Sequence, residues 1–341
     1  MRDFASEAPM RFLSILLLAL GVALGFAWLG GESWLAGKAR GIIAQDPRIS
    51  AASVAPLRRL DRIGLHLDNV AVATPQGAAA LPTLDLWAAP SSPHRFHAEL
   101  PPQMLLPIQG DARQVAAQDA ELTLQLSPGS GMAVALMAAR SGKVSVEGAP
   151  LLARLDARAL LVPMGAQAPQ AARAAYAVEA EWSALTPGAA LDLPAALAAQ
   201  ALSGQGTAQV FLTGPLRPGE PKPRLAGIAS PGFTLTLGPQ SLRVAGQLTA
   251  DADNRAEGAL FLYTTDARAW MQLTGDLGLI PPRLVMLAGS ALEQAAGTEP
   301  PATTPAPPDS APGELRIPLT FRDGRMFLGP LPLGEAPRLG R

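Results

Sequence analysis

The sequence predicts a mainly β fold: curved antiparallel sheets with a few short helices, preceded by one transmembrane helix. Three observations support this prediction. Apolar and polar side chains alternate with a period of two along much of the chain, which is typical of strands with one buried and one wet face. The 34 prolines and 33 glycines interrupt the sequence too often for long helices. An uncharged apolar run at residues 12–31 precedes the alternating part.

The run at residues 12–31, FLSILLLALGVALGFAWLGG, predicts a membrane-spanning helix. At about 1.5 Å per residue it covers the roughly 30 Å hydrocarbon core of a bilayer. A cleaved signal peptide is the alternative because small residues near Gly25 suit a signal peptidase, but the apolar run continues past Trp28 and exceeds the usual signal core. We expect residues 1–11 in the cytoplasm, a single pass through the membrane, and the bulk of the chain on its far side.

Residues 32–296 are expected to form a β-rich domain, after a short helical continuation at 37–46. Alternating runs lie at residues 63–68, 121–126, 143–147, 176–182, 233–237, 242–244 and 260–262. Between such runs, residues 251–255 predict a polar loop, and Gly204-Gln205-Gly206 predicts a turn. Asp323-Gly324 is the strongest hairpin signal in the chain.

Few helices are predicted. Asp266 can cap a helix that carries Ala269, Trp270 and Leu273. Prolines suited to a first helical turn suggest two more helices, from about 194 to 202 and from 281 to 295. Residues 297–313 are rich in proline and lack periodicity, which predicts a mobile linker. Residues 314–341 would then form a C-terminal hairpin that completes the β domain.

Composition and motifs argue against several function classes. The net charge of −1 provides no electrostatic footprint for nucleic acid, and the chain has no cysteine for a disulfide or a thiolate metal site. His94 and His97 lie near Glu99, but side chains three apart on a strand face opposite sides, so we predict no zinc site. No nucleotide-binding or nucleophile motif is present. We expect no enzymatic activity and no cofactor.

An acidic loop, residues 251–254, is similar to the start of a calcium-binding loop. The third ligand and the glycine of that motif are misplaced here. A solvated hairpin turn is therefore the preferred interpretation, and no metal site is predicted.

Six residues around the predicted anchor are candidates for membrane contact. Trp28 and Trp34 flank the expected membrane boundary and suit an aromatic belt. Four arginines follow closely: Arg48, Arg58, Arg59 and Arg62. They form either an ordinary solvated face or a contact with anionic lipid head groups.

The C-terminal third resembles the bacterial domain-of-unknown-function family 2125. The resemblance lies in the segment LTADADNRAEG at 248–258, in Leu319-Thr320, in Asp323-Gly324 and in Leu328-Gly329-Pro330; the segment DNVAVATP at 68–75 agrees in style. The resemblance implies a single N-terminal span in the inner membrane and a periplasmic location for the β-rich domain at residues 32–296, and it implies no catalytic residue. This architecture is similar to that of AsmA-like envelope proteins, whose curved sheets have apolar interiors associated with lipid movement or outer-membrane homeostasis.

Two functions remain open. The first is binding of a lipid or another hydrophobe in envelope maintenance, with the apolar strand faces forming a groove. The second is a structural or adaptor role with an envelope protein partner and no ligand. A hydrolase, the third class considered, lacks a nucleophile constellation. The bilayer itself is a partner through the N-terminal helix.

Overall fold

A computed structural model describes residues 32–59, 61–190, 200–276, 308–329 and 331–339. The prediction of a mainly β protein is confirmed: the strands form one large antiparallel sheet that is not closed, and helices are few. Several predicted elements lie outside the described residues: segments 1–11 and 12–31 with Trp28, the helix beginning at Pro194, the helix at 281–295 and residues 297–307 of the linker. Among the helices that the structure describes, none has the length and apolarity needed to cross a bilayer.

The chain divides into two compact units, residues 1–123 and 124–341. The first contains α1 (Glu32–Gln45), β1 (Ile49–Ser50), β2 (Ser53–Pro56), β3 (Ile63–Thr74), β4 (Gly77–Ala88), β5 (Arg95–Glu99), β6 (Gln103–Ile108) and β7 (Asp111–Ala117). The strand β8 (Glu121–Ser127) contains the boundary.

The second unit contains β9 (Ala133–Ser141), β10 (Val144–Val146), β11 (Ala149–Leu152), β12 (Arg154–Val162), β13 (Ala174–Leu185), β14 (Leu202–Leu212), β15 (Leu225–Leu237), β16 (Gln240–Ala250), β17 (Ala256–Thr264), α2 (Ala267–Asp276), β18 (Leu315–Arg322), β19 (Arg325–Leu328) and β20 (Leu331–Glu335). Two short 3₁₀ turns lie at Pro128–Ser130 and Pro187–Ala189.

The first unit is organised around the long hairpin of β3 and β4. Strands β1 and β2 pair with β3, β4 pairs with β5 and β6, and β6 pairs with β7, all antiparallel. The hairpin has two faces because side chains alternate along a strand: His66 lies opposite Asp85 on one face, and Leu67 lies opposite Leu84 on the other. Helix α1 packs against the first three strands, where Ala36 is fully buried.

The second unit is a meander. From β12 to β20 each strand pairs with its successor, and β9 pairs with the free side of β12. Its buried side chains form small clusters along the sheet, centred on Phe211, on Phe261 with Tyr263, and on Phe321. Alternation predicts these strands well because each needs only one face to be apolar.

Two local predictions are confirmed by backbone geometry. Asp323 and Gly324 form the turn between β18 and β19 with φ angles of 52° and 67°, as a hairpin turn with two left-handed residues requires. Asp266 caps α2 because its Oδ1 accepts a hydrogen bond of 3.0 Å from the Ala269 amide.

The prediction of a turn at Gly204-Gln205-Gly206 is wrong, since all three residues lie within β14. Gly204 and Gly206 are needed because neighbouring residues approach the backbone of β14 too closely to leave room for a side chain. A Cβ atom on Gly204 would lie 2.3 Å from Cζ2 of Trp182, and one on Gly206 would lie 2.7 Å from Cα of Phe233. The rings of Trp182 and Phe233 approach to 5.4 Å between centroids and occupy this space.

The helix predicted to begin at Pro194 does not extend to Leu202. Leu202 is the first residue of β14 and pairs with Leu237 of β15. Pairing with a neighbouring strand therefore outweighs the local helical pattern at this position.

Candidate functional site

The predicted membrane-contacting arginines have different surroundings. Arg48 pairs with Asp46 at 2.8 Å, and this hydrogen bond lowers the pKa of the Asp46 carboxyl to about 2. Arg62 pairs with Glu99, whereas Arg58 and Arg59 are exposed. The charges of Arg48 and Arg62 are thus compensated by carboxylates, and those of Arg58 and Arg59 face solvent.

Trp34 is an exposed tryptophan on α1. Its side chain is 64% accessible, and the Nζ atom of Lys38 lies 5.8 Å from its ring centroid. An aromatic ring with a neighbouring cation is compatible with the predicted interfacial position of α1.

A stack of three side chains lies on the polar face of the first unit. Trp87 stacks on His97 with 4.0 Å between ring centroids and 9° between planes, and Cζ of Arg62 lies 4.2 Å from the Trp87 centroid. Glu99 Oε1 accepts hydrogen bonds from Trp87 Nε1, at 3.1 Å, and from Arg62 Nη1. His97 Nδ1 contacts Glu121 Oε1 at 2.5 Å. Each charge in this stack has a partner.

His66 lies beside the stack and bridges two carboxylates. Its Nδ1 is 2.5 Å from Asp85 Oδ1, and its Nε2 is 3.2 Å from Asp68 Oδ1. The hydrogen bond with Asp85 is the main cause of a raised His66 pKa. The Ser53 hydroxyl donates to Asp68 at 2.5 Å and so lowers the pKa of Asp68. Because Ser53 donates to a carboxylate and not to His66, this group is not arranged as a nucleophile with a histidine base.

The histidines do not form a metal centre within the described part of the chain. No group of three or more histidine, cysteine, aspartate or glutamate side chains is suited to a metal ion there. His97 lies in β5, whereas His94 precedes that strand. Asp251, in the acidic loop, accepts hydrogen bonds from the amides of Asp253 and Arg255, so its Oδ1 stabilises the turn.

The first unit also contains an apolar groove of about 420 Å³. Buried Val70, Leu81 and Met104 line it together with Leu105, which is 45% exposed. The amides of nearby asparagine and glutamine residues are its polar groups, and none of the lining residues that the structure describes is charged. This groove is suited to an uncharged apolar group.

The second unit contains a larger apolar groove of about 620 Å³, which we call the arginine groove. It is lined by Ser130, Ala133, Leu161, Val162, Pro163, Met164, Arg173, Ala174, Pro215 and Arg217. Its volume lies within the range of about 300–1,000 Å³ that is usual for small-molecule sites. Its apolar floor comes from the end of β12 and the start of β13, and the two arginines supply its charges.

Tyr176 positions the wall of the arginine groove. Its buried hydroxyl donates to the Val134 carbonyl and accepts from the Leu216 amide, both at 3.0 Å. The Val134 amide in turn donates to the Leu216 carbonyl at 2.8 Å. These bonds tie the segment 215–217 to β9 and β13, so the wall is part of the folded sheet.

Another cavity of the second unit, about 530 Å³, is polar. Arg140 pairs with Asp156 at 3.4 Å, and Arg158 pairs with Glu179 across neighbouring strands at 2.5 Å. Its cations and carboxylates compensate one another, as is typical of a solvated sheet face.

No motif or pattern in the sequence predicts either apolar groove. The residues of the arginine groove come from four separate segments between 130 and 217, and only strand register brings them together. Met164 is 47% exposed just after β12, but it lies in none of the alternating runs, so no local signal marks it in the sequence.

Comparison with known proteins gives one match. The bacterial family described as "uncharacterized protein conserved in bacteria" (DUF2125) matches residues 61–337, which include both grooves and most of the strands. No curated protein and no solved structure matches the chain significantly. Because the match covers well over half of the sequence and agrees with the resemblance of its C-terminal third, the chain belongs to the DUF2125 family.

Proposed function

We propose that this protein is anchored in the inner membrane by residues 12–31 and binds a lipid or another hydrophobe with its periplasmic part, in envelope maintenance. The observation that carries the proposal is the arginine groove, whose lining is mostly apolar. Met164 is 47% exposed there, although it borders a cavity of about 620 Å³. Exposed apolar surface around a concave site is typical of ligand-binding grooves.

The size of the groove supports a chain-like ligand. Each methylene transferred from water to an apolar surface contributes about 0.8 kcal/mol, so a few buried methylenes give measurable affinity. Leu161 and Val162 supply part of this apolar surface. Because they lie at the end of β12, a regular strand, the surface has a defined shape.

Mass spectrometry of lipids extracted from the purified full chain tests the proposal. The variant Met164→Asp puts a charge on the apolar lining, and Leu160→Asp is its matched control because Leu160 is 37% exposed on β12 but does not line the groove. Lipid held around the anchor should be the same in the wild type and in both variants, so it does not affect the comparison. We therefore expect a lipid species enriched in the wild type and in Leu160→Asp, and reduced at least several-fold in Met164→Asp.

Equal lipid content in all three proteins would contradict lipid binding in the groove. If crosslinking in cells then captured one defined envelope protein, the structural or adaptor role would replace this proposal.

A further inference from the structure

We infer that the arginine groove selects a single-chain amphiphile with an anionic head, a carboxylate or a phosphate, whose acyl chain lies on the apolar floor. This inference rests on the proposed function and deepens it, since it assigns the charge of the ligand. It is carried by two arginines, Arg173 and Arg217, at a site whose other lining residues are apolar except for Ser130.

Arg173 brings an uncompensated positive charge to the groove. Its Nη1 donates to the backbone carbonyls of Gln170 and Ala172, at 2.8 Å and 2.7 Å. Within the described part of the chain it forms no ion pair with a carboxylate. These two bonds hold the guanidinium in place and leave its charge available to an anion.

Arg217 has a carboxylate partner that is weakly held. Its Nη1 lies 3.3 Å from Glu220 Oε2, and the Glu220 side chain is 55% accessible. An exposed pair of this kind contributes little and exchanges readily with solvent. The same guanidinium lies beside Gly131, where a Cβ atom would be 3.7 Å from Nη2, so it is close to the edge formed by Ser130.

Among the described residues, the lining of the arginine groove contains arginine but no aspartate or glutamate. The polar cavity of the same unit differs because its arginines pair with Asp156 and Glu179, and the groove of the first unit differs because none of its described lining residues is charged. Unbalanced positive charge next to apolar surface is complementary to a ligand with an anionic head and an apolar chain. A neutral lipid head would leave both arginines without a new partner.

Photo-crosslinking of the full chain in isolated membranes tests this inference. The probes are hexadecanoic acid and hexadecanol that carry the same mid-chain diazirine, so that they differ only in the head group. The acid should label peptides of the groove roughly fivefold to tenfold more than the alcohol, as expected for charge-assisted hydrogen bonds at a partly exposed site.

Charge variants identify the residues responsible. In Arg173→Gln/Arg217→Gln the ratio of acid to alcohol labelling should fall to about one, while labelling by the alcohol stays within about twofold of the wild type. The double variant Arg154→Gln/Arg224→Gln removes the same charge from exposed positions outside the groove and should keep the wild-type ratio.

Competition distinguishes a lipid head from a free anion. Unlabelled hexadecanoate or hexadecyl phosphate should displace the acid probe, and inorganic phosphate at the same concentration should not. Effective competition by inorganic phosphate would overturn the inference in favour of a simple anion site. Equal labelling of the groove by both probes would overturn it while leaving hydrophobe binding in place. Failure of both probes to label the groove would refute the proposed function itself.

Discussion

His66 shows how much the neighbours of a single residue change its chemistry. In the sequence it is one polar residue of an alternating run, but pairing with β4 brings Asp85 to one ring nitrogen, and Asp68, two residues further along β3, contacts the other. Both carboxylates favour the doubly protonated ring, which can donate one hydrogen bond to each of them. Pairing of β4 with β5 likewise places Trp87 opposite His97, and the two rings stack.

We predict that His66 titrates above its ordinary pKa of 6.5, as its hydrogen bond with Asp85 requires. The chain has three histidines, so NMR titration of their ring protons can follow each one. Asp85→Asn should move the His66 pKa back toward 6.5, and Asp111→Asn, at an exposed residue of another strand, should not. An unchanged pKa in Asp85→Asn would contradict the bridge.

The raised pKa of His66 also predicts how the stability of the protein changes with pH. A histidine whose folded pKa exceeds its unfolded value contributes stability that is complete below about pH 6.5 and is lost as the pH rises through the folded pKa. The free energy of unfolding should therefore fall between about pH 5.5 and about pH 8.5 by less in His66→Gln than in the wild type. Because the side chain is 37% exposed, we expect a difference below about 1 kcal/mol.

At the scale of elements, close strand approach depends on glycines whose role is not visible in the sequence. Gly246 on β16 has a φ of 134°, and a Cβ atom there would lie 2.3 Å from the Ala259 carbonyl oxygen of β17. Gly204 on β14 makes room for Trp182 in the same way. Alternation predicts the strands but not these contacts, because a contact depends on which residue of the neighbouring strand lies opposite.

Gly246→Ala should destabilise the protein by roughly 2–4 kcal/mol, since it combines backbone strain with a clash against a fixed carbonyl. Gly232→Ala on β15 is the matched control: its nearest atom would be Cδ of Arg243 at 3.7 Å, and its effect should stay within about 1 kcal/mol. Urea unfolding followed by circular dichroism measures both. Similar midpoints for the two variants would show that the close contact at Gly246 does not matter.

Tyr176→Phe should loosen the wall of the arginine groove. It removes the hydroxyl that joins the Val134 carbonyl and the Leu216 amide, and leaving such buried groups unpaired costs about 1–3 kcal/mol. Hydrogen exchange should become faster at residues 215–217. The control Tyr263→Phe removes a single bond to the Pro308 carbonyl and should leave exchange at 215–217 unchanged. Equal exchange in both variants would argue against the role of Tyr176.

At the scale of the whole molecule, features that depend on residues close in sequence can be predicted, whereas features that depend on residues distant in sequence cannot. The β class, the Asp323-Gly324 hairpin and the Asp266 cap depend on residues close in sequence, and all three are confirmed. The arginine groove depends on the pairing of β12, β13 and β14 and on one tyrosine hydroxyl, so no local pattern encodes it. The turn predicted at Gly204-Gln205-Gly206 is wrong for the same reason, because the close contacts of these glycines are non-local.

The predicted anchor is tested by fractionation of cells that produce the full chain. We expect the protein to remain with inner membranes after alkaline extraction and to be digested by protease from the periplasmic side, since residues 12–31 are apolar and long enough to span. Recovery in the soluble periplasmic fraction, with an N-terminus near residue 28, would favour the cleaved signal peptide.

The most direct test of the central claim is the affinity of the full chain for saturated fatty acids from octanoate to hexadecanoate, measured by displacement of a fluorescent fatty acid. If the arginine groove buries the acyl chain, affinity should rise by up to about fourfold per added methylene until the groove is filled, and Met164→Asp should flatten this rise while Leu160→Asp preserves it. Affinity that is independent of chain length, or an equal rise in all three proteins, would contradict the account.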